Sequence, residues 1–314
     1  MNIYGEGRLS HFYRRRVRPL LRAGRRWYHR QKEALKARRA AGAGASEAAA
    51  MAALRSSSAR QRWEAAMTLG RHPQRSPAAI AALIAALADE EPFVRWKAAA
   101  ALARQEVANV FHPLVEALAN GATLQRAGAA EALAAIGGEA VTAALCRQIG
   151  DPEPLVRQAI AAALGQIGDP TAAPILAGLL DDADPQVRRA AARALGQIAS
   201  PAAAGPLARA LARPDQPLLV RRALAAALAR APHPDAQPAL LAALADPDPQ
   251  VRGYAARALG QIGNETAYER LASLLADDSP LLKGTVADEA RAARSLLERR
   301  GRRAAAGPIE GIRP

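Results

Sequence analysis

Asp184-Pro185-Gln186-Val187-Arg188-Arg189-Ala190-Ala191-Ala192-Arg193-Ala194-Leu195-Gly196-Gln197-Ile198 is the stretch on which the fold turns. An acceptor side chain followed by proline is the pairing of N-cap and first-turn residue that starts a helix. Val187, Ala191, Ala194, Leu195 and Ile198 then return at three- and four-residue spacings, which makes one apolar stripe of a helix. The centre of the stretch recurs along the chain: an arginine, two variable residues, two small apolar residues, a variable residue, a small residue and a leucine. It stands at Arg62 to Leu69, Arg95 to Leu102, Arg126 to Leu133, Arg157 to Leu164, Arg188 to Leu195, Arg221 to Leu228 and Arg252 to Leu259. The arginines are separated by 33, 31, 31, 31, 33 and 31 residues. Self-similarity at so constant a period is the signature of a repeat array, in which each unit packs on its neighbours.

Each unit has room for two helices of about 10–13 residues and two short turns. Asp248-Pro249 repeats the strong start of the second helix, and Glu91-Pro92 and Glu153-Pro154 are weaker versions of it. Val94, Val156, Val187, Val220 and Val251 open the buried face. Gly165 to Gly168, Gly196 to Ala199 and Gly260 to Gly263 read as helix ends, where glycine permits the left-handed closing residue. The first helices carry Leu/Ile stripes, as in Pro174 to Leu180, Pro206 to Leu211 and Pro238 to Leu244. An eighth, degraded copy keeps Ala292-Ala293-Arg294-Ser295-Leu296, with Glu289 in the place of the arginine. End units are atypical because one side meets solvent. Alanine-rich, aromatic-poor composition agrees with an all-α chain.

Asp184 to Ile198 and Asp248 to Ile262 resemble the HEAT-like repeat named after phycobilisome lyases, over roughly residues 47–298. The resemblance implies a right-handed α-α superhelix of about eight helix pairs. Families with such repeats include bilin lyase subunits, deoxyhypusine hydroxylases, DNA alkylation-repair glycosylases and plain adaptors, so it implies a fold far more than an activity. For the recurrent arginines it implies a structural ladder.

Charge divides the chain differently. Residues 1–40 hold thirteen Lys/Arg against two acids, +11 of the total +14, so the remainder is close to neutral. Tyr4, Phe12, Tyr13, Trp27 and Tyr28 place five of the eleven aromatics there. The expected organisation is a basic, aromatic arm and linker over 1–46, a solenoid over 47–298 and a disordered tail over 299–314. As a helix from Leu20 to Arg39, the arm would put Leu20, Leu21, Trp27, Tyr28 and Leu35 on one face. Arg14, Arg15, Arg16, Arg18, Arg25, Arg26, Trp27 and Tyr28 are candidates for contact with an anionic membrane surface or with nucleic acid. The third reading of the arm is a disordered segment that docks a partner or aids solubility. No apolar stretch follows the basic N-terminus as a secretory signal requires, and no run is long enough to span a bilayer.

Chemistry finds little support. The resemblance to deoxyhypusine hydroxylases would bring an iron site built from repeated His-Glu pairs. None of His11, His29, His72, His112 and His233 is followed by Glu, so the ligands of such a site are missing. His72, His112 and His233 each precede proline and are expected near helix ends. Cys146, the single cysteine, lies in a first-helix pattern and reads as a small buried residue. Asp181-Asp182 and Asp277-Asp278 fall in turns and read as caps rather than metal ligands. No cofactor and no metal are expected.

Arg62, Arg95, Arg126, Arg157, Arg188, Arg221 and Arg252 allow two readings: a positive ladder for acidic partners, or a structural ladder paired with turn acids such as Asp89, Asp151, Asp182 and Asp246. The near-neutral array favours the second. Second helices are expected to line a concave surface, with Trp63, Trp96, Lys97, Gln158, Arg189, Arg222 and Tyr254 exposed on it as the candidate partner-binding face. The function expected is a non-catalytic, cytoplasmic scaffold for another protein. The alternatives are a subunit of bilin-lyase type or another enzyme accessory subunit, and nucleic-acid or membrane binding through the arm, the latter at the inner membrane face.

Overall fold

In a computed structural model, residues 47–71 and 75–305 are described. Sixteen helices form eight consecutive pairs among them. The first helices are α1 (Glu47–Ala53), α3 (Pro77–Ala85), α5 (Val107–Asn120), α7 (Glu139–Arg147), α9 (Ala173–Gly178), α11 (Ala204–Leu211), α13 (Gln237–Ala243) and α15 (Glu265–Leu271). The second helices are α2 (Ala59–Leu69), α4 (Pro92–Leu102), α6 (Thr123–Ile136), α8 (Pro154–Ile167), α10 (Pro185–Ile198), α12 (Leu218–Arg230), α14 (Pro249–Ile262) and α16 (Val286–Ala305). The chain is an all-α solenoid. Its first helices are shorter than expected, six to nine residues in every case but α5. Proline near their starts and 3-10 turns beside them, such as Pro170–Ala172 and Leu179–Asp181 around α9, take up the rest of the length.

The starts of the second helices follow their side chains. The Asp184 carboxylate accepts from the Gln186 and Val187 N–H groups, and Asp248 does the same for Gln250 and Val251. Glu91 and Glu153 cap no N–H with their side chains, because the longer chain does not reach back. The core between the helix layers is two rows of leucine. Leu83, Leu114, Leu145, Leu176, Leu207, Leu240 and Leu271 come from first helices, and Leu102, Leu133, Leu164, Leu195, Leu228 and Leu259 from second helices, all without solvent contact or nearly so. One pair could not cover both of its stripes, and stacking hides each row between neighbouring units.

Three expectations need correction. Gly165, Gly196 and Gly260 do not close helices; they lie inside α8, α10 and α14. A Cβ on them would stand 2.6 Å from the Ala194 Cα, 2.8 Å from the Ala227 Cα and 2.7 Å from the Ala293 Cα. These glycines let successive second helices touch backbone to backbone. The closing residues come three positions later: Gly168 is left-handed at φ 77°, and Ala199 adopts the same region at φ 54° without glycine's freedom.

The eighth unit sits in a different register from the one its sequence suggested. Val286 and Ala287 are buried in the places that Val251 and Arg252 hold in the preceding unit, and Ala293 meets Gly260. Ala287, not Glu289, therefore occupies the arginine position, and Leu297 is buried while Leu296 is 39% exposed. In this register Arg294 holds the place of the motif's leucine and lies over the Tyr268 ring, so the second-helix leucine row is not continued in α16. Finally, α16 continues to Ala305, so the expected tail beginning at 299 is helical over its first seven residues. Alanine and arginine are strong helix formers, and Gly301 alone does not stop them. The arm, its expected helix and linker, His72 and residues 306–314 lie outside the described residues.

Candidate binding face and the arginine ladder

The repeat arginines run along one edge, where the turn between first and second helix meets the same turn of the next unit. Arg157 shows the arrangement. Its Nη1 donates to the carbonyls of Asp151 and Pro152 in its own turn, at 2.8 and 3.0 Å. Its Nε and Nη2 donate to Asp182 of the next turn, at 2.7 and 2.9 Å. The Asp182 carboxylate is aimed by its own loop, because Oδ1 also accepts from the Asp184 N–H. Arg62 makes the two-point pair with Asp89, Arg126 with Asp151 and Arg221 with Asp246. Arg252 donates to Asp277 and to the Ser279 hydroxyl. Arg188 departs in chemistry, donating to the Gln216 amide oxygen, and both side chains are buried.

Arg95 departs further. It binds the Asp89 and Glu90 carbonyls of its own turn, and among the described residues no carboxylate of the next unit pairs with it. The cause is α5, which runs unbroken into Asn120 and Gly121 and leaves no aspartate in that turn.

Hydrogen bonding to Asp89, working against burial, raises the Arg62 guanidinium; Asp151 and Asp182 raise Arg126 and Arg157 in the same way. Burial pushes Asp89 and Asp182 upward, but the arginine hydrogen bonds, the turn N–H groups and the nearby positive charge outweigh it and hold both carboxyls low. Arg252 holds Asp277 low. Apart from Arg95, the guanidinium forks are thus spent on neighbouring turns.

The candidate face residues divide sharply. Trp96 is 58% exposed on α4, beside Phe93 at 63%. Trp63, one repeat earlier, is buried at 7% exposure and does not belong to an open face. Lys97 of the next unit lies over it, with Nζ 5.1 Å from the Trp63 ring centroid and 4.7 Å from that of Trp96. Burial and, after it, Arg104 lower the Lys97 ammonium. Arg222 is half-buried and held by the Asp248 carboxylate rather than free for a partner, its Nε 2.9 Å from Oδ1. Tyr254 is half-buried with Arg257 over its ring. Gln158 is exposed on α8 and Arg189 half-exposed on α10. They flank a trough of about 630 Å³ between these two helices, with Gly165 and Ala194 in its floor. Its other polar side chains, Gln166, Gln186, Arg193 and Gln197, were not singled out from sequence, although Gln166, Gln197 and Gln261 recur at one repeat position.

The cysteine and the two described histidines stand apart from one another along the array. Cys146 is half-buried rather than fully buried, and burial pushes its thiol up, with the Asp169 charge adding to it. His112 lies in the interior of α5, not near its end; it is exposed, stacks edge-on with Phe111, and precedes Pro113 within the helix. His233 Nδ1 accepts from the Asp235 N–H at the start of a 3-10 turn. Among the described residues no three His, Cys, Asp or Glu side chains gather as a metal would require, and no helix is long and apolar enough to cross a membrane.

Stacked helix pairs tied turn to turn define an α-solenoid. The chain belongs to the HEAT-repeat family: the model described as HEAT repeats matches residues 46–134, 111–186, 143–219 and 212–293. Among solved structures, the X-ray structure of YibA from E. coli is 21% identical, with a TM-score of 0.56 over 80% of this chain and 91% of that one, a likeness of fold. The complex of CpcE and CpcF of phycocyanin lyase from Nostoc sp. PCC7120 is 27% identical, with a TM-score of 0.36, covering 82% and 96%. Human deoxyhypusine hydroxylase in complex with glycerol is 25% identical, with a TM-score of 0.33, covering 82% and 97%. At those two TM-scores neither carries an inference to this chain. No curated protein matches it.

Proposed function

We propose that this chain is a cytoplasmic, non-catalytic scaffold that holds another protein on its second helices. The observation that carries the reading is the pair Phe93 and Trp96, the two exposed aromatic rings among the array's exposed large hydrophobics, one turn apart on α4 and each more than half exposed. Tryptophan is enriched among the few residues that dominate protein interfaces, and clustered exposed apolar surface marks such sites. Lys97 stiffens the patch by lying across the Trp96 ring. The test is affinity capture by the full chain against a Phe93→Ala/Trp96→Ala variant. Partner recovery should drop about tenfold or more, given the weight of a tryptophan hot spot. The helical circular dichroism should be unchanged, because both rings are more than half exposed. Equal recovery by the variant removes the α4 face from the proposal.

The concentration of +11 in residues 1–40 supports a second, separate role for the arm, on nucleic acid or on an anionic membrane. Deleting 1–40 should then abolish retardation of DNA or RNA at low salt, or flotation with anionic liposomes. A bilin-lyase type of role predicts a shifted visible absorption when phycocyanobilin is added, and an unshifted spectrum argues against it.

A further inference from the structure

We infer that the trough between α8 and α10, continued over α12 and α14, binds an extended acidic segment of a partner protein; this deepens the scaffold reading and rests on it. The first observation is charge. The helices α8, α10, α12 and α14 contain nine arginines and no aspartate or glutamate. Four of the nine are tied into the ladder, Arg222 is held by Asp248 and Arg257 by Glu289. Arg189, Arg193 and Arg230 have no carboxylate partner among the described residues, and Arg189 donates only to the Gln186 amide. The acids of these units lie in the turns, where Asp182, Asp246 and Asp248 are neutralised by Arg157, Arg221 and Arg222. A net positive strip is left on the trough itself.

The second observation is a row of primary amides. Gln166, Gln197 and Gln261 stand at one repeat position, with Arg230 filling it in the intervening unit, and all four are exposed. A primary amide offers a donor pair and an acceptor, the complement of a peptide C=O and N–H. Second helices in contact stand about 8–10 Å apart. An extended chain rises about 3.3 Å per residue, so one amide would meet every third residue of a strand crossing the helices. Small side chains in the floor, held close by the Gly165–Ala194 contact, leave room for a main chain to approach. Single-stranded nucleic acid suits the trough less well. The second helices α8, α10 and α12 carry no aromatic ring on which a base could stack, the Tyr254 ring of α14 is half-buried with Arg257 over it, and three uncommitted arginines are few for a phosphate chain.

The test uses the full chain and a fluorescein-labelled decapeptide of alternating glutamate and serine with a central benzophenone side chain. Its fluorescence anisotropy is followed at low and moderate salt, and its photo-crosslinks are mapped by mass spectrometry. Crosslinks should fall within 158–197. Affinity should drop about tenfold for Arg193→Glu, and severalfold for Gln166→Ala/Gln197→Ala, which changes no charge. All three side chains are exposed, so the thermal midpoint should hold. Crosslinks confined to residues 1–46, glutamine variants that bind like wild type, or displacement of the peptide from the trough by a ten-nucleotide oligothymidylate would each overturn the inference. If these variants have no effect while Phe93→Ala/Trp96→Ala still loses its partner, the trough assignment fails and the scaffold reading stands. If partner capture is indifferent to both sets, the scaffold reading fails with it.

Discussion

Arg157 and Asp182 lie in adjacent units, 25 residues apart in sequence, and close on each other through two parallel hydrogen bonds of 2.7 and 2.9 Å. The third edge of the same guanidinium holds the carbonyls of Asp151 and Pro152, so one side chain fixes its own turn and the next. Because Asp151 is in turn the partner of Arg126, the links run in series along the edge.

Removing one member of such a pair strands the other. Arg157→Ala should destabilise the array by about 3 kcal/mol, the scale for breaking a largely buried ion pair. Arg157→Lys should cost nearly as much, since an ammonium cannot reproduce the fork. Arg95→Ala, which loses carbonyl bonds but no ion pair, should cost clearly less. Urea unfolding followed by circular dichroism ranks the three, and an Arg95 variant as damaged as the Arg157 variant would contradict the geometry.

Backbone contact between second helices makes a separate prediction. Gly165→Ala drives a methyl into the Ala194 backbone of a neighbouring helix, which cannot rotate away, and should cost about 2 kcal/mol as overpacking does. Gly178→Ala, at the end of α9 with nothing within 4 Å of the added carbon, should be neutral or stabilising by up to about 1 kcal/mol. Thermal midpoints of the two variants should move in opposite directions or differ by several degrees.

Ala199 ends α10 in the left-handed region at φ 54°, the one non-glycine residue with positive φ among those described. That conformation costs an L-residue roughly 1–2 kcal/mol. Ala199→Gly should therefore raise stability by about 0.5–1 kcal/mol, the part left after glycine's greater freedom in the unfolded chain is counted. A lowered thermal midpoint would show that the alanine methyl makes contacts worth more than the strain.

Acid should loosen the array through the depressed aspartates Asp89, Asp182, Asp248 and Asp277. Folded carboxyls held below their unfolded value stabilise the fold fully above that value, near pH 3.9, and the contribution is lost as pH falls through the folded value. Stability should be level from pH 7 to 5 on this account and fall steeply below about pH 4. Glu131 works in the opposite sense. Partial desolvation raises its carboxyl against the pull of Arg95 although the residue is exposed on α6, so ionising it costs the fold little, and Glu131→Gln should be as stable as wild type or slightly more so at pH 7. Urea midpoints across pH 3–7 test both signs.

The period, the pairing of helices and the helix starts were legible because they rest on local chemistry: Asp184-Pro185 and Asp248-Pro249 cap wherever they stand, and a 31-residue step is visible without coordinates. The turn acids that could meet the arginines were legible too, since Asp89, Asp151, Asp182 and Asp246 recur at the same place in the unit. The candidate face was less so. Trp63 and Trp96 occupy one repeat position, yet Trp63 is buried and Trp96 stands in solvent, and no property of the position separates them.

By itself, then, the amino-acid order determined a stack of helix pairs and the edge along which its arginines would run, because capping, periodicity and turn chemistry act over a few residues. Tertiary packing alone decided that Gly165 serves contact rather than closure, that α16 enters the stack with Ala287 in the arginine's place, and that Asp248 rather than a partner holds Arg222. Each of those outcomes depends on what a neighbouring unit presents at a few ångströms, and a repeat read one copy at a time carries no record of its neighbour.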